Sequence, residues 1–166
     1  MTTTINMFTD SDWAGEVESR KSTSGGVMQL GSHVLKTWAS TQSVIALSTG
    51  EAEFYAIIKG ASQAMGLRSM MNDLGWKANI RVLTDATTGK SIASRRGLGK
   101  LRHIDVSNLW IQEQVMKGAM SVIKVKNIHN SADIGTKHLP RQEMENCLEQ
   151  MDFHFALGRS EVAPET

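Results

Sequence analysis

The sequence has few of the residues that form covalent or metal-bound cross-links. Its 166 residues include a single cysteine, Cys147, so the chain can form no internal disulfide and offers no cysteine-based zinc site. Only two prolines are present, Pro140 and Pro164, and both lie late in the chain. The hydrophobic share of 40% is ordinary for a globular domain, which argues against a disordered or fibrous protein.

The sequence also lacks a long apolar run. No stretch approaches the roughly 18 apolar residues that a membrane-spanning helix requires. Residues 1–4 have neither the basic start nor the apolar stretch of a secretory signal. The length of 166 residues suits one domain. We therefore expect a monomeric, intracellular domain, cytoplasmic or nuclear, with no membrane partner.

Net charge is almost absent. Eighteen Lys and Arg residues against seventeen Asp and Glu residues leave +1, which excludes a polybasic tail or a uniformly cationic surface. A local basic patch is compatible with this balance, and the densest cationic segment is 90–103. Its candidates for contacts with nucleic-acid phosphates are Arg95, Arg96, Lys100 and Arg102. The alternative is a solvated helix end whose arginines interact with the helix dipole.

Hydrophobic periodicity predicts an α/β domain in the order βββαβααβα, a mixed five-stranded sheet with helices packed on it. Strands are predicted at 4–9, 25–30, 34–39, 80–84 and 121–125, and helices at 48–74, 87–96, 105–117 and 133–151. Ser48 or Thr49 is the expected N-cap of the long helix, and Gly75 its stop. The domain is expected to span 1–151, with a flexible C-terminal tail at 152–166.

Four carboxylates stand where several elements are expected to meet. Asp10 and Asp85 each follow a threonine at the end of a predicted strand, and open α/β sheets place ligands at those ends. Asp133 opens the last predicted helix. The long helix carries Glu51 and Glu53 in its first turn, about 200° apart at about 100° per residue, so only one can face the site. Taken singly, each acid is more often a turn or cap residue, but a carboxylate cluster binds hard cations such as Mg²⁺.

The choice between the two glutamates depends on the face that the helix buries. Glu53 shares its side of the helix with Ala56, Ile57 and Gly60, the side expected to pack on the sheet. This pattern favours Glu53 over Glu51 as the acid that faces the site.

Short motifs follow one another in a characteristic order along the chain. They lie at 10–15 (DSDWAG), 20–25 (RKSTSG), 38–40 (WAS), 46–56 (ALSTGEAEFYA), 84–85 (TD), 102–105 (RHID), 132–133 (AD) and 136–139 (TKHL). In content and order they resemble the ribonuclease H domain of copia-type retrotransposon polyproteins, the segment that follows their reverse transcriptase. The resemblance covers roughly residues 5 to 150 and implies a ribonuclease H-like fold.

The resemblance implies a metal-dependent endonuclease that hydrolyses the RNA strand of RNA–DNA hybrids and leaves 5′-phosphate and 3′-hydroxyl ends. Two Mg²⁺ ions would act, with Mn²⁺ able to substitute. The metal-binding and catalytic acids of the family fall on Asp10, Glu53, Asp85 and Asp133. The implied partners are the hybrid and a reverse transcriptase domain of the same polyprotein, within a virus-like particle if the retrotransposon is active.

Three further residues are weaker candidates. His129 precedes the last acid, where related ribonucleases H have a mobile histidine that assists proton transfer or product release; the alternative is an exposed loop histidine. Ser48 and Thr49 are candidate contacts to the substrate backbone and candidate readers of the RNA 2′-hydroxyl.

Two other functions stay open at this point. A catalytically silent module of the same fold would bind nucleic acid or act as a scaffold within a reverse transcriptase polyprotein. Another nuclease or an integrase of the same superfold would lack the order of motifs found here. Fold alone does not decide among these functions.

Overall fold

The centre of the structure is a five-stranded sheet in the spatial order β3-β2-β1-β4-β5. This computed structural model describes residues 3–97, 99 and 103–154. The strands are β1 (Thr3–Ser11), β2 (Thr23–Leu30), β3 (His33–Thr41), β4 (Ala78–Thr84) and β5 (Ser121–Lys124). The β1–β2 and β2–β3 pairs are antiparallel, whereas β1–β4 and β4–β5 are parallel. The predicted mixed five-stranded sheet is confirmed.

Within the described residues, four α-helices accompany the sheet. They are α1 (Thr49–Asp73), α2 (Thr87–Ser94), α3 (Trp110–Met116) and α4 (Arg141–Gln150). Short 3-10 helices occupy Val106–Leu109, Asn127–His129 and Ser131–Gly135. The core lies between α1 and the sheet, where Phe54 and Ile57 of α1 are fully buried with Ile5, Met7 and Val82 of the central strands. Burial of such side chains is the main stabilising contribution in a domain of this size.

Gly60 sets the close approach of α1 to β1. A Cβ atom at this position would lie 2.4 Å from Thr9 Cγ2 and 3.0 Å from Met7 Cγ. A side chain at this position would have to displace the side chains of Thr9 and Met7, so the glycine lets the helix backbone lie close to the strand. The same helix face continues to Glu53 in the first turns and brings that residue to the C-terminal end of β1.

The predicted start of the last helix is wrong. Instead of beginning at Asp133, the α-helix begins at Arg141, and Asp133 lies in the 3-10 helix Ser131–Gly135. Asn130 caps that short helix by accepting a hydrogen bond from the Ala132 amide at 3.4 Å. Pro140 then disfavours helical geometry at the residue before it, so α4 starts only after the proline.

The predicted third helix is also shorter than expected. Asp105 accepts a hydrogen bond from the Ser107 amide at 2.8 Å and begins the 3-10 helix Val106–Leu109, and the α-helical part is limited to Trp110–Met116. The predicted tail covers 152–166, of which residues 155–166 lie outside the described part of the chain.

Candidate metal centre

Two aspartates come together because their strands are parallel neighbours. β1 and β4 pair in parallel, with Phe8 opposite Leu83, so their C-terminal ends meet at one edge of the sheet. Asp10 lies near the end of β1 and is 1% exposed, and Asp85 directly follows β4. Carboxyl ends of neighbouring parallel strands are the usual place for a ligand in an open α/β sheet.

The 3-10 helix Ser131–Gly135 adds the third aspartate. One carboxylate oxygen each from Asp10, Asp85 and Asp133 lies within 4.8 Å of the others. The buried Asn130 holds this helix in place, since its side-chain amide donates to the Thr9 carbonyl at 3.1 Å. Gly25 on β2 pairs with Asp10 and leaves room for the 3-10 helix to approach the sheet, because a Cβ at this position would lie 3.0 Å from the Ala132 carbonyl oxygen.

We expect Asn130→Leu to lower the free energy of unfolding by about 1–3 kcal/mol, because the buried Thr9 carbonyl and Ala132 amide lose their partner. The same change should weaken Mn²⁺ binding, since Asp133 loses its anchor to β1. Urea unfolding and Mn²⁺ titration measure the two effects. Gln142→Ala, on the exposed surface of α4, is the control and should change neither. An Asn130→Leu protein with unchanged stability would show that this contact does not hold the site.

The two glutamates of α1 have different surroundings. Glu53 Oε1 accepts a hydrogen bond from the Ser11 amide at 3.4 Å, one residue after Asp10, and its buried Oε2 has no hydrogen-bond partner among the described residues. Glu51 is 1% exposed and accepts from the Leu47 amide at 3.0 Å, while His103 Nε2 lies 2.8 Å from its Oε2. The structure therefore places Glu53 beside the aspartates and Glu51 in a separate contact with His103.

Burial makes the cluster electrostatically unfavourable without a cation. Burial, with added repulsion from Asp10 and Asp85, raises the pKa of Glu53 to about 8. Burial, followed by repulsion from Asp10, raises the pKa of Asp133 to about 6. Burial also raises the pKa of Asp10 above its ordinary value. Several carboxylates that resist ionisation in one place form a site that a positive ion would stabilise.

This electrostatic pattern predicts a pH dependence of stability in the presence of a chelator. Between the ordinary pKa of 4.5 and about 8, the folded state keeps a proton on Glu53 that the unfolded state releases. The free energy of unfolding should therefore fall as pH rises from about 5 to about 8, by on the order of 3 kcal/mol from this residue. Urea unfolding of wild type and Glu53→Gln in EDTA measures the difference. Parallel pH profiles of the two proteins would contradict the expectation.

Of the side chains that the structure describes, three more contact the aspartates, and the sequence patterns did not select them. The Thr136 hydroxyl donates to Asp10 Oδ2. Lys137 Nζ donates to Asp10 Oδ1 at 3.3 Å and to Asp133 Oδ1 at 3.0 Å. The Asn127 amide, oriented with its nitrogen toward the carboxylates, donates to Asp133 Oδ2 at 2.8 Å and to Asp85 Oδ2 at 3.1 Å. Thr136 and Lys137 belong to the motif at 136–139. The sequence pattern that indicates a role for Lys137 is its position four residues after Asp133.

The residues of the cluster fit a divalent cation. All of the acidic donors are carboxylate oxygens, which Mg²⁺ and Mn²⁺ prefer. The unpartnered Oε2 of Glu53 is a buried acceptor that an ion would satisfy. The donor set therefore suits one or more hard dications held by Asp10, Glu53, Asp85 and Asp133.

The other predicted site residues differ in their exposure and contacts. His129 is exposed in the 3-10 helix Asn127–His129, and no described residue forms a hydrogen bond to its imidazole. Ser48 is the N-cap of α1, and its hydroxyl accepts from the Glu51 amide at 3.2 Å. Thr49, the first residue of α1, is exposed. The roles proposed for these three residues stay predictions.

The predicted basic segment is only partly described. Arg95 follows the end of α2 and packs over Gly99, where a Cβ would lie 2.7 Å from its guanidinium. Arg96 is exposed, and its Nε donates to Met116 Sδ at 3.2 Å. Lys100 and Arg102 lie outside the described residues.

Comparison with known proteins identifies the relationship. The chain is 30% identical over 149 residues to the retrovirus-related Pol polyprotein from transposon TNT 1-94 of Nicotiana tabacum, a match that covers 89% of this chain and 11% of the tobacco protein. The N-terminal ribonuclease H domain of Mycobacterium tuberculosis rv2228c superposes with a TM-score of 0.57 at 18% identity, over 89% of this chain and 98% of that one. The chain is a ribonuclease H-fold homologue of transposon Pol polyproteins. The family resemblance and the fold predicted from the motifs are confirmed.

A ribonuclease H1 from a compost metagenome was solved in complex with an RNA/DNA hybrid, and it shares this fold with a TM-score of 0.50 at 14% identity, over 79% of this chain and 92% of that one. No family model matches the chain. Across the described residues, no helix has the length and apolar character needed to cross a membrane. The chain spans about a tenth of the length of the curated polyproteins that it matches.

Proposed function

We propose that this ribonuclease H-fold domain is a metal-dependent endonuclease that hydrolyses the RNA strand of RNA–DNA hybrids. The observation that carries the proposal is the meeting of three aspartates at one sheet edge, with Asp10 buried and Glu53 beside them lacking a partner for one oxygen. An arrangement that concentrates buried negative charge costs stability, and a purely structural role does not explain it.

Asp10, Glu53, Asp85 and Asp133 would hold two Mg²⁺ ions, for which Mn²⁺ can substitute. When bound, such ions activate a water molecule and stabilise the leaving oxygen of a phosphodiester. The protein residues position the ligands: the Ser11 amide orients Glu53, Thr136 orients Asp10, and Asn127 orients Asp85 and Asp133. His129 is the proposed proton carrier or release residue next to the last acid.

The proposal covers the partners and the setting as well. The hybrid is the proposed substrate, which the hybrid-bound compost ribonuclease H1 of the same fold supports. A reverse transcriptase domain of the same polyprotein is the proposed covalent partner, because the curated relatives are Pol polyproteins. We propose that residues 1–151 act as a monomeric ribonuclease H-like unit inside the cell, with 152–166 as a tail.

A hybrid with the RNA and DNA strands labelled separately tests the function. With Mg²⁺ or Mn²⁺, the purified chain should cut the RNA strand into fragments with 5′-phosphate and 3′-hydroxyl ends and leave the DNA strand intact. EDTA should stop the reaction. Tight binding of the hybrid without cleavage in either metal would instead favour the catalytically silent nucleic-acid-binding module.

Substrate affinity is proposed to come from the basic segment with Arg95, Arg96, Lys100 and Arg102, together with Ser48 and Thr49. We expect Arg95→Ala combined with Arg96→Ala to weaken hybrid binding and to reduce the slope of log affinity against log salt by about 2, one for each lost phosphate contact. Fluorescence anisotropy at several salt concentrations measures this slope, with Lys36→Ala on β3 as the control. An unchanged slope in the double variant would remove these two arginines from the substrate surface.

A further inference from the structure

Lys137 is the resident cation of the acidic cluster. Its ammonium lies 3.3 Å from Asp10 Oδ1 and 3.0 Å from Asp133 Oδ1, so it bridges two acids that are 123 residues apart in sequence. Both acids are far less exposed than the lysine side chain, which is 38% exposed against 1% for Asp10 and 9% for Asp133. A partly buried ion pair of this kind interacts more strongly than one at the surface.

The hydrogen bonds account for all four carboxylate oxygens of Asp10 and Asp133. Asp10 accepts from the Thr136 hydroxyl through Oδ2 and from Lys137 through Oδ1. Asp133 accepts from Lys137 through Oδ1 and from the Asn127 amide through Oδ2. The two neutral donors add no net charge, whereas Lys137 places a full positive charge beside one oxygen of each acid.

We propose that Lys137 is a built-in competitor for the metal: its ammonium occupies the position between Asp10 and Asp133 and has to leave these oxygens before a divalent cation can bind them. The inference rests on the proposed metal-dependent function, which it deepens by naming what controls metal loading. A dication that uses the same two oxygens would meet the ammonium at close range and be repelled by it. The half-exposed lysine can move outward, because its flexible stem reaches solvent.

The competition has a consequence for the metal-free protein. Lys137 neutralises part of the repulsion among the buried acids and so stabilises the folded chain when no metal is bound. When a divalent ion binds, that stabilisation is exchanged for the stronger one that the ion supplies. Lys137 therefore lowers the apparent affinity for metal by a constant factor, because the competing ammonium belongs to the same chain.

Mn²⁺ titration by calorimetry of the full chain, without substrate, tests the inference. Lys137→Met, which removes the charge and keeps the stem, should bind Mn²⁺ about tenfold more tightly than wild type. Lys137→Arg keeps the charge and should stay close to the wild-type affinity. Lys117→Met is the matched control, because Lys117 also pairs with an acid four residues away, at 2.6 Å, on the surface of α3. It removes the same charge from the chain and should leave Mn²⁺ binding unchanged.

Thermal unfolding gives a second readout. The rise in Tm from EDTA to saturating Mn²⁺ should be larger for Lys137→Met than for wild type, since tighter binding stabilises the folded state more. If Lys137→Met binds Mn²⁺ no more tightly than wild type while Asp10→Asn abolishes binding, the metal site stands but Lys137 does not compete for it. Absence of Mn²⁺ binding in wild type and in both Lys137 variants would instead overturn the metal site itself.

Discussion

Asp10→Asn should reduce hybrid cleavage at least about a thousandfold while leaving the fold intact. Asp10 is the most buried of the acids, lies within 4.8 Å of both Asp85 and Asp133 through its carboxylate oxygens, and raises the pKa of Glu53 by repulsion. It is therefore the acid best placed to serve more than one ion. The change keeps the shape of the side chain and removes one negative charge where the ions would bind.

Single-turnover cleavage of a labelled hybrid in Mg²⁺ measures the effect of Asp10→Asn. Its folding is checked by urea unfolding in EDTA, where the variant should be at least as stable as wild type because a buried charge has been removed. Asp12→Asn is a close control, because Asp12 lies one residue beyond β1, its carboxylate accepts a hydrogen bond from the Thr23 amide, and it is not one of the three clustered aspartates. Cleavage by Asp10→Asn at the wild-type rate would contradict the assignment of the site.

Glu53→Gln and Glu51→Gln should have opposite effects. Glu53→Gln is expected to reduce cleavage at least about a hundredfold and to leave the stability in EDTA equal or higher, because it removes a buried carboxylate whose pKa is raised to about 8. Glu51→Gln is expected to keep most of the cleavage activity. It should cost about 1–3 kcal/mol of stability, because the pairing of Glu51 with His103 loses its charge.

The two glutamate variants are matched in chemistry, helix and sequence neighbourhood, so each controls for the other. Cleavage rates and free energies of unfolding are measured for both in the same buffers. If Glu51→Gln lost activity and Glu53→Gln kept it, the acid facing the metals would be Glu51, and the orientation of α1 at the site would be wrong.

The sheet and three of the acids were predictable because they depend on local patterns. Strand alternation identified β1 and β4, and the threonine–aspartate pairs placed Asp10 and Asp85 at strand ends that a parallel pairing brings together. Helical periodicity favoured Glu53 for the site, and the structure places it beside the Ser11 amide, although the structure buries Glu51 more completely than Glu53.

The surroundings of Asp133 were not predictable in the same way. An acid followed by apolar and small residues is typical of a helix start, but Asn130 caps a 3-10 helix there and bonds to Thr9, 121 residues away. Lys137 and Thr136 reach Asp10 across 127 and 126 residues. No local pattern encodes such contacts, because they arise only when the chain closes the sheet edge. The contact of Glu51 with His103, 52 residues apart, was hidden for the same reason.

The metal site is tested most directly in crystals of the Asp85→Asn chain with a bound hybrid, since this change slows cleavage. Anomalous scattering of Mn²⁺ in these crystals locates the ions. We expect Mn²⁺ at the cluster, bound by Asp10 together with Glu53 and Asp133, with Lys137 turned away from Asp10 and Asp133. Crystals in which the hybrid is bound but no Mn²⁺ lies at these carboxylates, while the wild-type chain cleaves the hybrid in the same metal, would contradict the assignment of the site.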